Sequence, residues 1–281
     1  MFLHISSFLT DRVARIKVNG LVGDWTESLF GTSAGTNLGP LLFIIFVHDV
    51  PKLIFPKFAD DIVSISVDED LLQISRELQE AVDDVTNWSQ KWGMVLNVPK
   101  TKVMLFGGST TDTIDLRING VKIEQVNRMK YLGMLLDPLL NFSLHVDYAA
   151  ATAKRSAARI CNLFDGRVGI SVQLGLQLYK SLVRPHLEYA ASVWASAKAK
   201  DLDKLDVVQV QCLRRIIGAK AHSSSAAIEV ITGVLPIKIR IRDLCSREYV
   251  RLINSPNCHY LRELMETLCV IGVGLRTVND Q

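Results

Sequence analysis

The sequence predicts an α+β fold, in which an antiparallel sheet with covering helices is followed by an all-helical region. Two Asn-Gly pairs, within RIKVNGLV and IDLRINGVKIE, each lie between alternating apolar residues, a pattern typical of a tight β-hairpin. Between these pairs, apolar residues recur at helical spacing from Asp68 to Gly93. Beyond residue 142 the patterns are helical throughout. The change of pattern predicts two regions, residues 1–142 and residues 143–281.

The long helix of the first region is predicted to be amphipathic, with an acidic start and a glycine stop. Its apolar face consists of Ile74, Leu78, Val82, Val85, Trp88 and Trp92. We interpret Trp88 and Trp92, together with Trp194 in the second region, as core residues rather than as platforms for base stacking.

Three helical stretches are predicted in the second region. An alanine-rich stretch runs from Ser143 to Phe164, and another begins at Ser171 and is broken by Pro185. The third runs from Asp201 to a stop at Gly218. Its buried face is predicted to contain Leu202, Leu205, Val208, Cys212 and Ile216.

Composition indicates a globular, intracellular chain without a membrane span. Hydrophobic residues make up 48% of the 281 residues, which is enough for a sizeable core. The longest apolar run, Leu41 to Val47, is too short to cross a bilayer and is predicted to be buried, and the N-terminus lacks the pattern of a secretion signal. The five cysteines are an odd number without a C-x-x-C pair, which favours core thiols over disulfides or a zinc site.

Charge is divided unevenly along the chain. Residues 1–150 contain 13 Lys and Arg against 18 Asp and Glu, whereas residues 151–281 contain 19 against 11. A basic region beside an acidic, possibly metal-binding region suits a polyanionic partner such as nucleic acid, with Arg214, Arg215 and Lys220 as candidate contacts. The alternative is that these residues only solvate helix faces, and charge alone favours this alternative.

Two adjacent carboxylates, Asp60 and Asp61, lie in the stretch KFADDIVSIS, at the mouth of an alternating apolar pattern typical of a strand. Like charges side by side repel each other unless a cation holds them. Asp pairs are also common in turns, where they hydrogen-bond to the backbone and need no metal. The dipeptide alone favours the turn, and the remaining motifs must decide between the two readings.

The order of the motifs is more specific than any one of them. GTSAGTNLGPLLFIIFVHDVPK, FADDIVSIS, the long helix, LNVPKTKVMLF, MKYLGMLLDPLLNFSLHV and LYKSLVRPHLEYAASVW follow one another along the chain. In this order they resemble the reverse transcriptase of non-LTR (LINE-like) retrotransposons, over almost the whole chain. The resemblance implies a polymerase-palm sheet in the first region and an all-α, thumb-like second region.

The resemblance also implies roles for particular residues. Asp60 and Asp61 match the catalytic hairpin, where two Mg²⁺ ions serve nucleotidyl transfer, with Asp60 as direct ligand and Asp61 supporting it. Lys100 matches a lysine near the departing pyrophosphate, although a solvated surface lysine is an equally good interpretation. The template and nucleotide loop would contain Gly31, Gly35, Gly39 and Pro40. The hairpin that grips the primer end would contain Lys130, Tyr131, Leu132 and Gly133.

The chain departs from the family pattern at several points. Phe58 stands where many relatives have Tyr, Ala34 stands where Gln is typical, and the segment between Val50 and Phe58 is short. The resemblance also implies a further catalytic aspartate on an upstream strand, and neither Asp11 nor Asp24 is a convincing substitute.

These departures shape the functional expectation. We expect an N-terminally truncated RNA-directed DNA polymerase that acts on an RNA template and DNA primer, or on their duplex, and that is inactive alone. A missing N-terminal half supplied by another chain could complete it. The alternative is a non-catalytic remnant that binds nucleic acid or protein.

Overall fold

A computed structural model describes residues 2–28, 31–32, 35–51, 57–107, 112–164 and 170–255. Contacts along the backbone divide the chain into two compact units. The first unit is Met1–Lys102 with Thr113–Glu124, and the second is Val103–Asp112 with Gln125–Gln281. The division predicted at residue 142 separates a palm-like from a thumb-like region, and it stays a prediction.

Helices dominate the second unit, and short strands are concentrated in the first half of the chain. The α-helices are α1 (Phe2–Leu9), α2 (Leu38–Phe46), α3 (Leu71–Lys91), α4 (Ser143–Phe164), α5 (Val172–Leu178), α6 (Arg184–Glu188), α7 (Ala191–Trp194), α8 (Ala199–Ile216), α9 (Ser225–Thr232) and α10 (Ile237–Asn254). The strands are β1 (Val13–Ala14), β2 (Lys17–Val18), β3 (Leu21–Val22), β4 (Thr26–Glu27), β5 (Lys57–Phe58), β6 (Asp61–Ile62), β7 (Lys102–Val103), β8 (Arg117–Ile118), β9 (Val121–Lys122), β10 (Glu124–Gln125), β11 (Met129–Tyr131) and β12 (Met134–Leu136). Mixed α+β structure is therefore confirmed.

The strands form separate pairs rather than the single sheet that the sequence predicts. The pairs are β1–β4, β2–β3, β5–β6, β7–β10, β8–β9 and β11–β12, and none of these sheets gains a third strand from the described residues. Val63, Ile65 and Val67 alternate as in a strand, but β6 already ends at Ile62. A strand requires a neighbour for its N–H and C=O groups, and β5 pairs only with Asp61 and Ile62.

Both Asn-Gly pairs form the predicted hairpin turns. Asn19 and Gly20 connect β2 to β3 with φ of 50° and 85°, and Asn119 and Gly120 connect β8 to β9 with φ of 50° and 79°. Positive φ at both central residues is the requirement of the type I′ turn, which matches the twist of antiparallel strands. The local sequence signal thus determines these two hairpins.

The long helix α3 forms as predicted. Asp70 caps it by accepting a hydrogen bond from the Leu72 N–H at 2.9 Å, and Gly93 follows its end with φ of 66°. The buried face includes Ile74, Ala81, Val85 and Trp88. Trp92 differs from the prediction, since it lies just past the helix and remains 46% exposed.

The apolar residues of α2 are largely exposed, contrary to the buried element predicted from Leu41 to Val47. Leu41, Ile44 and Ile45 are each more than half exposed, whereas Phe46 packs against the Trp88 ring at a centroid distance of 5.7 Å. The hydrophobicity of the run does not indicate which of its side chains pack against other described residues.

The main core lies in the second unit, where α4 packs along α8. Leu205, Val208, Cys212 and Ile216 of α8 are buried, as their helical spacing predicts, and Leu202 packs against them. Burial raises the pKa of the Cys212 thiol to about 12, consistent with a core thiol. Neither Cys161 nor Cys245 forms a disulfide within the described residues, and Cys258 and Cys269 lie outside these residues.

Pro185 interrupts its helix through a local widening. Ser171 caps α5 by accepting from the Leu174 N–H at 3.3 Å, and a π-helical turn, Tyr179–Val183, then precedes α6. Proline has no N–H and its ring crowds the carbonyl four residues earlier, so the ladder of hydrogen bonds must shift there. The predicted break is thus a π-turn followed by one further helical turn.

None of the described helices combines the length and apolarity needed to cross a bilayer.

Candidate functional site

The Asp pair lies at the tip of a hairpin, as predicted. β5 pairs with β6 so that Phe58 lies opposite Asp61, and Ala59 and Asp60 form the turn between them. Ala59 has φ of 53°, a left-handed conformation that is uncommon outside glycine. The pair therefore occupies a tight, locally strained turn.

Both carboxylates of the pair face solvent. Asp60 and Asp61 are exposed, and neither side chain makes a hydrogen bond or ion pair with another described residue. The turn does not use these side chains to satisfy its own backbone, which weakens the reading of the pair as an ordinary turn motif. Two adjacent, unengaged carboxylates can donate oxygen ligands to a hard cation.

The hairpin is attached to the first unit through its second strand. Ile62 packs against the apolar cluster of Val50, Val85 and Trp88, which joins it to α3. The Trp88 indole Nε1 in turn donates to the Asp49 carboxylate at 2.9 Å, which fixes the short turn after α2. The long helix thus supports the strand that follows the Asp pair.

The predicted template and nucleotide loop precedes α2. Gly31 and Gly35 are exposed with φ of 75° and 80°, and Gly39 is buried in the first turn of α2, where its N–H donates to the Thr36 hydroxyl at 3.3 Å. The exposed Pro40 follows within the helix. Positive φ explains why glycine suits positions 31 and 35. Ala34, which stands where the family typically has Gln, lies outside the described residues, as does the segment 52–56.

Lys100 ends a short 3-10 turn, Val98–Lys100, and its side chain is exposed. The Asn97 side chain caps this turn by accepting from the Lys100 N–H at 3.2 Å. Asn97 and Lys100 are thereby linked in a compact local structure. The nearby Lys102 instead forms an ion pair with Glu124.

The predicted primer-grip residues form the β11–β12 hairpin. Tyr131 pairs with Met134, so Leu132 and Gly133 are the turn. The Lys130 ammonium donates to the Tyr148 hydroxyl at 3.1 Å, and this contact lowers the pKa of Tyr148. The structure therefore brings all four predicted residues onto one hairpin of the second unit.

The three predicted basic contacts differ in their environments. Arg214 is half-buried, and its guanidinium donates to the Ser223 carbonyl at 3.2 Å. Arg215, in the last turn of α8, and Lys220, just beyond that helix, are exposed. Arg215 and Lys220 are more exposed than Arg214 and are therefore more accessible to a partner.

Sequence reasoning missed a group of aromatic side chains behind the β11–β12 hairpin. It comprises His145, Tyr148, Tyr189 and Trp194, and we call it the aromatic support. The His145 ring lies 5.7 Å from that of Trp194 and 6.5 Å from that of Tyr148. His145 and Trp194 follow the end of the hairpin at Leu136 by 9 and 58 residues, so no local pattern signals these contacts.

Buried His145 is neutral at neutral pH. Burial lowers its pKa, and its Nδ1 accepts a hydrogen bond from the Leu135 N–H of β12 at 3.3 Å. An acceptor at Nδ1 places the ring proton on Nε2. Protonation would convert Nδ1 into a donor and remove its bond to β12.

We expect the second unit to lose stability in mild acid. Because folding lowers the pKa of His145 below its unfolded value of about 6.5, the unfolded chain binds the proton more readily. The contribution of His145 is complete above that value and declines as pH falls below it. Urea unfolding of the parent at pH 7.5 and pH 5.5 should show a lower free energy of unfolding at pH 5.5.

The variant His145→Asn should reduce this difference, since a side-chain carbonyl can accept from the Leu135 N–H without titrating in this range. The exposed His222 provides the matched control, and His222→Asn should leave the pH difference unchanged. Equal pH dependence in the parent and in His145→Asn would show that His145 does not carry the effect.

Comparison with known proteins relates part of this chain to a known family. Residues 3–136, which include the glycine loop, the Asp pair and the β11–β12 hairpin, match the family described as reverse transcriptase (RNA-dependent DNA polymerase). This segment is similar to reverse transcriptases, and the resemblance to the enzymes of non-LTR retrotransposons is confirmed.

Relatives among curated proteins extend the similarity over the helical region. The chain is 27% identical to the "RNA-directed DNA polymerase from mobile element jockey" of Drosophila melanogaster, over 99% of this chain and 31% of that protein. Its counterpart from Drosophila funebris is 28% identical, over 92% of this chain and 29% of that protein. The "Probable RNA-directed DNA polymerase from transposon X-element" of D. melanogaster is 25% identical, over 77% and 25%. The chain therefore spans about a third or less of the length of these relatives.

Proposed function

We propose that this chain is the palm and thumb portion of an RNA-directed DNA polymerase from a non-LTR retrotransposon. The observation that carries the proposal is the exposed, unengaged pair Asp60 and Asp61 on the β5–β6 hairpin, within the segment that matches reverse transcriptases. Its partners would be an RNA template and a DNA primer inside the cell. Residues 143–281 would be the thumb, and their basic surface would follow the backbone of the duplex.

The chemistry of the Asp pair suits magnesium. Carboxylate oxygens are preferred ligands of Mg²⁺, and Asp60 would ligate it directly with Asp61 in support. Mg²⁺ held by these carboxylates would lower the pKa of the attacking hydroxyl and would neutralise charge on the leaving group. The donor set is partial, because no cluster of three metal-ligating side chains occurs within the described ranges.

Other residues of the chain would hold the substrates. The loop with Gly31 and Gly35 lets the backbone approach template and nucleotide closely, because no side chain intervenes. Lys100 would supply positive charge near the departing pyrophosphate. The β11–β12 hairpin would hold the primer end, with the Lys130 ammonium kept in place by the Tyr148 hydroxyl.

We further propose that the chain does not polymerise alone. A third carboxylate would have to complete the metal site, and a second polypeptide could contribute it. A non-catalytic role in binding nucleic acid is the second candidate function. The partial donor set is as consistent with this role as with a polymerase that needs a second polypeptide. The two functions share duplex binding and differ in primer extension.

Duplex binding should be measurable without catalysis. We expect the full chain to bind a DNA primer annealed to an RNA template with a recessed 3′ end more tightly than a blunt RNA–DNA duplex. Affinity should fall steeply as salt rises, because phosphate contacts release counterions. Fluorescence anisotropy titrations at two salt concentrations test both expectations. Equal affinity for the two duplexes would contradict a primer-grip role, and a salt-insensitive signal would contradict phosphate contact.

Neutralising Arg215 and Lys220 together should weaken binding about three- to tenfold and lower the salt dependence by roughly two ion equivalents. Arg214 is left intact because its contact with Ser223 is structural. The matched control neutralises Arg247 and Arg251, which form ion pairs with Asp243 and Glu248 on the exposed side of α10. If both double variants bind like the parent, the charge near the end of α8 does not contact the duplex.

A further inference from the structure

The turn of the β11–β12 hairpin has a backbone conformation that its sequence does not favour. Leu132 has φ of 44° and Gly133 has φ of 85°. Glycine adopts such values readily, whereas a residue with a Cβ and a bulky side chain does so rarely. A strained residue of this kind persists only where surrounding groups hold it.

Tyr189 holds this turn at both of its residues. Its hydroxyl donates to the Leu132 carbonyl at 2.7 Å. Its ring lies so close to Gly133 that a Cβ placed there would be 3.0 Å from the Tyr189 Cε1 atom. Glycine is therefore required at position 133 for two reasons, the positive φ and the close approach of the Tyr189 ring. The turn and Tyr189 fit each other closely although they lie 57 residues apart.

Two hydrogen bonds of its own backbone fix Tyr189 in place. Its carbonyl accepts a hydrogen bond from the indole Nε1 of the fully buried Trp194 at 2.7 Å, and its N–H donates to the Pro185 carbonyl at 3.0 Å. The next residue, Ala190, has φ of 52°, which ends α6 and redirects the chain into α7. A second unusual backbone position thus presents Tyr189 to the hairpin.

We infer that Tyr189 is a positioning residue for the primer end, acting through the backbone of the β11–β12 turn. The inference rests on the proposed primer-grip function of that hairpin and assigns its geometry to a side chain outside it. Lys130 and Tyr131 lie on the strand that enters the turn, so loosening the turn changes how they are presented. Tyr189 would thereby set the preference for a recessed 3′ end over a blunt duplex, while leaving general duplex affinity unchanged.

Amide hydrogen exchange on the full chain measures how strongly Tyr189 stabilises the β11–β12 turn. Tyr189→Phe removes the hydroxyl and keeps the ring, so the amides of Tyr131 and Met134 should exchange about two- to fivefold faster than in the parent. Tyr189→Ala removes the ring as well and should raise these rates by about tenfold or more. Tyr249→Phe, an exposed position on α10, is the matched control and should change neither rate.

Anisotropy titrations of the same proteins measure the consequence for binding. The ratio of affinities for the recessed and blunt duplexes should fall about two- to fivefold in Tyr189→Phe, with blunt-duplex affinity equal to that of the parent. A merely structural role would change both affinities together. Gly133→Ala should also lose the preference, because the new Cβ would meet the Tyr189 ring and alanine does not favour the positive φ of this position.

The outcomes separate this inference from the proposed function. A parent that prefers the recessed end, with a Tyr189→Phe variant that keeps this preference or the parental exchange rates, overturns the inference alone. A parent without any preference contradicts the primer-grip function, and the inference falls with it. Faster exchange together with a reduced preference supports both.

Discussion

Replacing Asp60 with asparagine is expected to abolish Mg²⁺-dependent primer extension in a reaction completed with the N-terminal half of a related polymerase. The loss should be about a thousandfold or more, because asparagine keeps the size of the side chain but removes the charge that holds a hard cation. Asp61→Asn should cost less, about ten- to a hundredfold, if Asp61 only supports the metal. Single-nucleotide incorporation on an RNA template measures both losses.

The matched control for these variants is Asp84→Asn, at an exposed position of α3. It changes net charge by the same amount and should extend the primer at the parental rate. Duplex binding should survive Asp60→Asn, since a carboxylate without its metal repels phosphate. An Asp60→Asn variant that incorporates nucleotides as fast as Asp84→Asn would remove Asp60 from the catalytic site.

Truncating Trp194 should produce the largest loss of stability. The side chain is completely buried in the main core, and its Nε1 donates to the Tyr189 carbonyl. Trp194→Ala should lower the free energy of unfolding by about 3–5 kcal/mol, the range typical of emptying a buried aromatic site. Urea unfolding followed by circular dichroism reports the change.

Trp92 is the matched control, because it is 46% exposed and lies just after α3. Trp92→Ala should cost about 1 kcal/mol or less, mainly through lost contact with the Phe46 ring. If Trp194→Ala fails to fold, Trp194→Phe should still fold with a smaller loss, of about 1–3 kcal/mol. Equal effects at positions 194 and 92 would contradict the burial that distinguishes these two residues.

Elements with a strong local signal could be predicted from the sequence. Helix α3 has an Asp70 cap, a periodic apolar face and a glycine stop, and each of these acts within a few residues. The Asn-Gly hairpins follow from the φ preferences of two adjacent residues. The hairpin at Asp60 and Asp61 was instead implied by the resemblance to reverse transcriptases.

Features that depend on distant partners could not be predicted. Alternation of Val63, Ile65 and Val67 indicates a strand, but β6 ends at Ile62, and the described part of its partner β5 is only Lys57 and Phe58. The aromatic support is invisible in the sequence for a related reason. Tyr189 meets Leu132 only because Ala190 turns the chain at the end of α6, and no periodic pattern encodes that contact.

Primer extension by the full chain tests the proposed function most directly. The chain would be supplied with Mg²⁺, an RNA template and an annealed DNA primer, first alone and then with the separately folded N-terminal half of a related polymerase. The proposed function predicts no extension by the chain alone and Mg²⁺-dependent extension by the mixture, lost again in Asp60→Asn. Extension by the chain alone would contradict the requirement for a further carboxylate. A mixture that binds the duplex but never extends the primer would contradict the polymerase assignment.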